Sequence, residues 1–330
     1  MNQQGWRLTR RASVLAGLLA LGCCGWAVGA TYPERPIKLV IPYAPGGPTD
    51  VLGRIIGQKL GEVIKQTVVI ENRPGSGATV GFAAVAKSAP DGHTVLLGDI
   101  NLAVNPFLYK NLPYDAQKDF SAIGLVASAP LVMLVSQNSP AKSLQDLMAM
   151  AKAEPGKLTF GSAGAGNTTH LSMELFKAKM GLDIVHVPYK GANPALNDLV
   201  AGHVSMMVTG LSGAKTLVEA GKLRALAITG DKRAAVWPQV PTFAEAGAPL
   251  PEMKVGSWWG LFAPAGTSPE IVAELHRALT QCLASPDVLQ RLRELNIEPA
   301  SGTSRDLDRW VGAEMSTWSQ VIKRSGIQPE

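Results

Sequence analysis

From residue 31 onward the chain alternates short runs rich in β-branched residues with stretches whose apolar positions recur every three or four residues. Ile37-Lys38-Leu39-Val40-Ile41-Pro42-Tyr43 has the composition of a strand, and Val51, Leu52, Ile55, Ile56, Leu60 and Val63 then share one helical face. A strand at 67–70, a helix at 78–87 and a strand at 94–97 follow, giving β-α-β-α-β order from the start. That order predicts a largely parallel sheet with helices on both faces. After Phe120 strands are expected at 123–127, 132–135, 158–160, 184–187, 204–208 and 223–228, and helices at 143–153, 168–180, 194–201 and 214–220. One more apolar strand at 258–263 precedes three helices opening at Ser268, Ser285 and Thr303, each with a hydroxyl cap and an acid in its first turn. Asn193-Pro194 marks a helix start, and Gly181 and Gly221 mark helix ends. Thr242 and Glu245 fit a capping box closed by Gly247.

The N-terminus has a different pattern. Arg7, Arg10 and Arg11 precede a mostly apolar run over 12–30 that closes on Ala27-Val28-Gly29-Ala30, the layout of a secretory signal peptide cleaved near Ala30. The run approaches the length of a membrane span, but the polar restart at Thr31-Tyr32-Pro33-Glu34 favours cleavage. Ser13 stands where a twin-arginine signal has an aromatic, and Ala20-Leu21-Gly22-Cys23 is an imperfect lipidation site. Removal of the leader takes three Arg and no acid, so the net charge of +5 falls to +2 and the basic balance carries no information about a partner. Of three cysteines, Cys23 and Cys24 leave with it. Cys282 remains inside a helical pattern, which excludes an intrachain disulfide and points to a buried, unreactive thiol.

The 34 Gly and 23 Pro are too few for a low-complexity chain, and two Gly-rich segments sit between a strand and its helix. One is Tyr43-Ala44-Pro45-Gly46-Gly47-Pro48-Thr49-Asp50; the other is Gly161-Ser162-Ala163-Gly164-Ala165-Gly166-Asn167-Thr168-Thr169-His170. Glycine lets backbone N–H groups approach a ligand, and a helix N-terminus favours an anion. Two such loops, one per half of the chain, can grip one acidic ligand from both sides; each is also a plain strand-to-helix connection.

Enzyme templates do not fit. Gly210-Leu211-Ser212-Gly213-Ala214 has Ala214 where a nucleophile elbow needs glycine, and the dinucleotide-type glycine runs have Val80 and Thr169 at the third position. The five His are not grouped as metal ligands, and no basic stripe is interleaved with aromatics, so neither a metal site nor nucleic-acid binding is expected. His170 is placed either against ligand or on a helix surface. Trp258-Trp259 is read as core or inter-lobe packing.

Across the whole chain beyond the leader, motifs in order resemble the solute receptors of tripartite tricarboxylate transporters, the Bug (TctC) family. They are Tyr32-Pro33-Glu34-Arg35-Pro36-Ile37, Pro45-Gly46-Gly47-Pro48-Thr49-Asp50, Glu71-Asn72-Arg73-Pro74-Gly75 and Asn105-Pro106. The 161–170 loop, Val187-Pro188-Tyr189-Lys190-Gly191, Val240-Pro241-Thr242 with Glu245-Ala246-Gly247, and Gly260-Leu261-Phe262-Ala263-Pro264 complete the set.

The resemblance implies an α/β, two-lobed periplasmic binding protein of type II, each lobe a mostly parallel sheet flanked by helices. Residues 31–130 and 255–330 would form the first lobe and 131–254 the second. It also implies two pincer loops holding a carboxylate through backbone N–H and hydroxyl groups: Tyr43, Ala44, Gly46, Gly47 and Asp50 on one side, Ser162, Gly164, Asn167, Thr168 and Thr169 on the other. Tyr43, Asn101 and Thr209 would form the far end, with Thr209 standing where many relatives carry an acid. The expected protein is a monomeric, periplasmic, non-enzymatic receptor without cofactor or metal. Its partners would be a small organic acid and the small and large membrane subunits of a transporter, or a sensor kinase of a two-component system in their place.

Overall fold

Two sheets organise the chain. The computed structural model describes residues 32–327 except 165, 254–255 and 301; the leader, with Cys23 and Cys24, lies outside them. The first stretch runs β1 (Ile37–Ile41), α1 (Pro48–Ile64), β2 (Val68–Asn72), α2 (Thr79–Ala86), β3 (Thr94–Asp99), α3 (Asn101–Leu108) and β4 (Phe120–Ala129). The second runs β5 (Leu131–Ser136), α4 (Leu144–Ala153), β6 (Thr159–Ser162), α5 (Thr168–Met180), β7 (Val185–Pro188), α6 (Ala192–Ala201), β8 (Met206–Gly210), α7 (Leu211–Glu219) and β9 (Leu223–Ile228). The chain then returns through β10 (Ser257–Pro264), α8 (Pro269–Ala284), α9 (Pro286–Glu294), β11 (Glu298–Pro299) and α10 (Ser304–Ser325).

One sheet has the order β11-β4-β10-β3-β1-β2 and the other β7-β6-β8-β5-β9. Strands joined by helical crossovers pair in parallel, β1 with β2 and β3, β6 with β7 and β8. Each sheet also contains one reversed interior strand: β10 lies antiparallel between β3 and β4, and β5 between β8 and β9. They are the first strands after each passage from one sheet to the other: Pro130 alone separates β4 from β5, whereas residues 229–256, with a 3-10 turn at Pro251–Met253, separate β9 from β10. The architecture is two-lobed α/β with mixed sheets.

Local chemistry accounts for several helix ends. Ser143 with Asp146 and Thr303 with Asp306 form capping boxes, the Ser268 side chain caps α8, and Gly181 closes α5 in the left-handed conformation. Two expectations need correction. Gly191, not Asn193, precedes α6, which leaves Pro194 as the third helical residue, where its missing N–H is still without an intrahelical acceptor. The Ser285 hydroxyl donates to the Gln281 carbonyl at 3.0 Å and leaves α9 without a side-chain cap. Helix α3 has no signal in the sequence, because Pro106 sits inside it and proline reads as a helix breaker. Burial of Leu102, Ala103 and Val104 overrides that signal.

One apolar cluster runs from Phe82 and Leu96 through Phe262 and Trp318 to Phe160 and Phe176, so it touches both sheets. The long helix α10 packs against α3, β4 and α5. Its Glu314 carboxylate accepts from the indole N–H groups of Trp258 at 3.1 Å and Trp318 at 2.9 Å. Cys282 is buried, and burial pushes its thiol up to about 12, out of the range where a thiolate forms. Among the described residues no helix is long and apolar enough to cross a membrane.

Candidate functional site

A cavity of about 330 Å³ lies at the carboxyl ends of β1, β3 and β8, where the two sheets face each other. Its wall combines Tyr43, Thr49 and Asp99 from one side, Asn167, Thr168 and Ser212 from the other, and Ala129, Leu131 and Ser257 from the crossing segments. Clefts at strand carboxyl ends are the usual ligand positions of open α/β sheets. A larger cleft of about 490 Å³ lies among α3, α8 and α10, and none of the predicted site residues reaches it.

Helices α1, α5 and α7 each begin on the cavity wall, at Gly47–Thr49, Asn167–Thr169 and Gly210–Ser212. Neither α1 nor α7 has a side-chain cap, so their first N–H groups have no partner within the helix. The Asn167 side chain caps α5, its Oδ1 accepting from the N–H groups of Thr169 at 2.9 Å and His170 at 3.2 Å. Among the described residues no Lys, Arg or His lines the cavity. The groups on this wall that can favour an anion are therefore helix N-termini, which stabilise it without the desolvation cost of a buried cation.

The opposite polarity appears at one point. Asp99 ends β3 and accepts from the Tyr43 hydroxyl at 2.6 Å and from the Asn101 N–H at 3.0 Å. The Asn101 side-chain amide donates to the same hydroxyl at 2.9 Å, which fixes Tyr43 as the donor to Asp99. Burial raises the Asp99 carboxyl to about 6, with the Tyr43 and Asn101 hydrogen bonds opposing the shift. The Tyr43 phenol is raised well above its usual value, by burial first and then by the neighbouring Asp99 charge.

Six of the twelve predicted residues lie on this wall: Tyr43, Gly47, Asn101, Asn167, Thr168 and Thr169. Ala44, Gly46, Asp50, Ser162, Gly164 and Thr209 do not, and the reasons are local. The Gly46 N–H donates to Asp50 Oδ2 at 2.9 Å, and the same carboxylate takes Arg54 at 2.9 and 3.0 Å and Asn72 at 2.8 Å. Asp50 thus faces its own loop, and Ala44 projects to solvent. In the second loop Ser162 Oγ accepts from the Gly164 N–H at 3.2 Å and contacts His186 Nε2 at 2.6 Å, while the Ala163 N–H donates to Thr169 Oγ1 at 2.8 Å. Thr209 is buried on β8, and strand alternation turns it to the face that Met207 occupies. The glycines and their polar neighbours shape the loops; the helix starts behind them present the donors.

His170 takes neither predicted position. It is buried, stacked on His186 at 3.8 Å between ring centroids, with Phe160 beyond at 4.7 Å from His186. The Gly166 N–H donates to its Nδ1 at 3.0 Å, which assigns the ring proton to Nε2. Burial lowers both imidazoles to about 4, so the pair is neutral at physiological pH. Trp258 and Trp259 are buried as expected but also reach the cavity wall, and the Trp259 N–H donates to Thr49 Oγ1 at 2.9 Å. Asp99, Thr49 and Ser212 lie on the wall but are not among the predicted ligand contacts: Thr49 reads as a helix cap and Ser212 as part of a failed nucleophile elbow. Only the position of Asp99 at the end of a strand marked it, and that position is equally common for a turn residue.

The Asp50 network has a measurable consequence. Its carboxyl is held at about 2, down from 3.8, chiefly by the Arg54 pair and against the effect of burial. A depressed folded-state value means the stabilisation is complete above the unfolded value and is lost as pH falls through the folded one. Because the Arg54 side chain is 52% exposed, solvent screening reduces the pair's contribution. Asp50→Ala is expected to cost about 1–2 kcal/mol near neutral pH, with the difference from wild type closing as pH falls toward about 2. Urea unfolding across that range checks it; a pH-independent difference would contradict the assignment.

Two sheets joined by two chain crossings, with helix N-termini converging on the cleft between them, define a periplasmic binding protein. The model of the tripartite tricarboxylate transporter family receptor (TctC) matches residues 52–327, and the chain belongs to that family, whose members are solute-binding receptors and not enzymes. Among curated relatives it is 35% identical to Protein BugT of Bordetella pertussis over 97% of this chain and 99% of the relative. It is 40% identical to the UPF0065 protein in the tcbD-tcbE intergenic region of Pseudomonas sp. strain P51, over 88% and 86%. Among solved structures it is similar to an R. palustris protein with adipate, at TM-score 0.79 and 38% identity over 91% of this chain and 100% of that one. It is also similar to MatC from Rhodopseudomonas palustris with bound malate, at TM-score 0.74 and 33% identity over 88% and 100%.

Proposed function

We propose that this receptor is exported, loses residues 1–30 near Ala30, and captures a small carboxylated solute in the periplasm as a monomer. The first lobe comprises 31–130 and 255–330, the second 131–254. The solute sits in the cavity between them, with its carboxylate at the starts of α1, α5 and α7. Closed on its ligand, the receptor delivers it to the small and large membrane subunits of a tripartite tricarboxylate-type transporter. The observation that carries this reading is the convergence of three helix N-termini on a cavity that no cationic side chain lines among the described residues. The adipate and malate bound by similar proteins support the ligand class.

Thermal unfolding against a panel of carboxylic acids and their primary amides tests it. At a ligand concentration about 100 times Kd, the best acid should stabilise the fold by about 2.7 kcal/mol, a rise of roughly 5 °C or more in Tm, and its amide should not. A panel in which no acid raises Tm, or in which acids and amides act equally, would exclude a carboxylate site in this cavity.

A further inference from the structure

Asp99 is the only carboxylate among the described residues of the cavity wall, and no cationic side chain on that wall faces it. Its orientation is fixed from two directions: the Tyr43 hydroxyl holds Oδ2 at 2.6 Å and the Asn101 N–H holds Oδ1 at 3.0 Å. Neither contact exhausts its oxygen, because an ionised carboxylate oxygen accepts at two positions. The Tyr43 proton is committed to Asp99 at 2.6 Å, and its oxygen accepts from the Asn101 amide at 2.9 Å. The side chains at this end therefore offer acceptors held in place, while the helix starts offer donors.

A cavity with an anion-binding region and a fixed anionic group of its own discriminates among acids by their second functional group. A second ligand carboxylate brought to Asp99 would set two like charges together in a partly desolvated space. A ligand ammonium or hydroxyl there would supply the missing partner, and an ammonium would also neutralise the charge. We propose that Asp99 makes this receptor select acids carrying a hydrogen-bond donor, an ammonium group above all, at the end remote from the bound carboxylate. The selectivity rests on the reading of the helix starts as the carboxylate site and adds a second, opposite recognition point to it. Asp99 is the specificity-determining residue, and Tyr43 and Asn101 are its positioning residues.

Calorimetric titration of the wild-type protein at about pH 7.5 with three matched series tests it: ω-aminocarboxylates, α,ω-dicarboxylates and plain alkanoates of equal chain length. The best aminocarboxylate should bind about 10- to 100-fold more tightly than the dicarboxylate of its length. Asp99→Asn should reverse that order: the carboxamide keeps the shape, removes the charge and adds a donor for the dicarboxylate. Unliganded thermal unfolding establishes that the variant is folded. Asp99→Glu, which keeps the charge, should retain the wild-type preference. If dicarboxylates or plain alkanoates bind the wild type as tightly as aminocarboxylates, the carboxylate site stands and the role of Asp99 falls. If no series binds, the carboxylate site itself falls, and the proposal with it. A preference for aminocarboxylates that survives Asp99→Asn overturns the assignment to this residue.

Discussion

Gly256→Val is expected to lower stability by at least about 3 kcal/mol, a fall in Tm of roughly 6 °C or more, and to leave the surviving folded fraction without a ligand response. Gly256 has φ +79°, and a Cβ there would stand 2.8 Å from the Ala129 carbonyl oxygen, 2.8 Å from the Leu131 nitrogen and 2.9 Å from Thr229 Oγ1. These atoms do not belong to a flexible side-chain tip that can swing aside. Ala129 and Leu131 flank the crossing from β4 to β5, and the buried Leu131 N–H donates to Thr229 Oγ1 at 2.9 Å. Both segments that link the two sheets, the β4-to-β5 crossing and residues 229–256, meet at this glycine. Any side chain must spread them, break a buried hydrogen bond worth about 1–3 kcal/mol when left unsatisfied, and adopt a left-handed backbone costing roughly 1–2 kcal/mol. The same displacement would change how the lobes face each other, so binding should be lost along with stability. Gly312, exposed on α10 with open space around it, provides the control. Gly312→Ala should be neutral or stabilising by up to about 1 kcal/mol through helix propensity. A Tm for Gly256→Val within about 2 °C of wild type would show that the crossing tolerates rearrangement.

Elements with strong periodicity and local end signals were legible: β9 and α5 fall on the residues their patterns predict. Strand direction was not. The apolar runs of β5 and β10 read like those of their parallel neighbours, because burial on both faces sets composition whichever way a strand points. Helix α3 was hidden by Pro106, whose cost tertiary burial outweighs. At the site, the two Gly-rich loops were visible because glycine is rare enough to mark a special backbone. What could not be seen was which donors remain available, since that depends on short side chains bonding back to the loop. Asp50 takes up the Gly46 N–H and Ser162 the Gly164 N–H. The third helix start, at α7, carries no sequence signal, because its cap position is Gly210 and its first turn has neither a side-chain cap nor an acid. Asp99 needs three segments to acquire meaning: the end of β3, Tyr43 from the first loop, and Asn101 at the start of α3.

Thr168→Glu should reduce affinity for the best carboxylate by at least about 100-fold while leaving the fold as stable as wild type or more so. Thr168 is the first residue of α5 and lies half-buried on the cavity wall. The helix has no acid in its first turn, and its cap, Asn167, is untouched by the change. An acid at that position interacts favourably with the macrodipole, by about 0.3–1 kcal/mol, so loss of binding could not be ascribed to unfolding. The introduced carboxylate would occupy the positive end of α5 that the ligand's own carboxylate uses. Two such charges at about 4 Å repel by roughly 4 kcal/mol at an effective dielectric constant of 20, and burial weakens the screening that salt provides. Thr168→Gln separates charge from bulk: it has the same length without the charge, and should cost no more than about 10-fold. Calorimetric titration of the three proteins with one acid decides the matter. A Thr168→Glu variant that binds within about threefold of wild type would mean that α5 does not hold the anion, and the anchor would then have to lie at α1 or α7 alone.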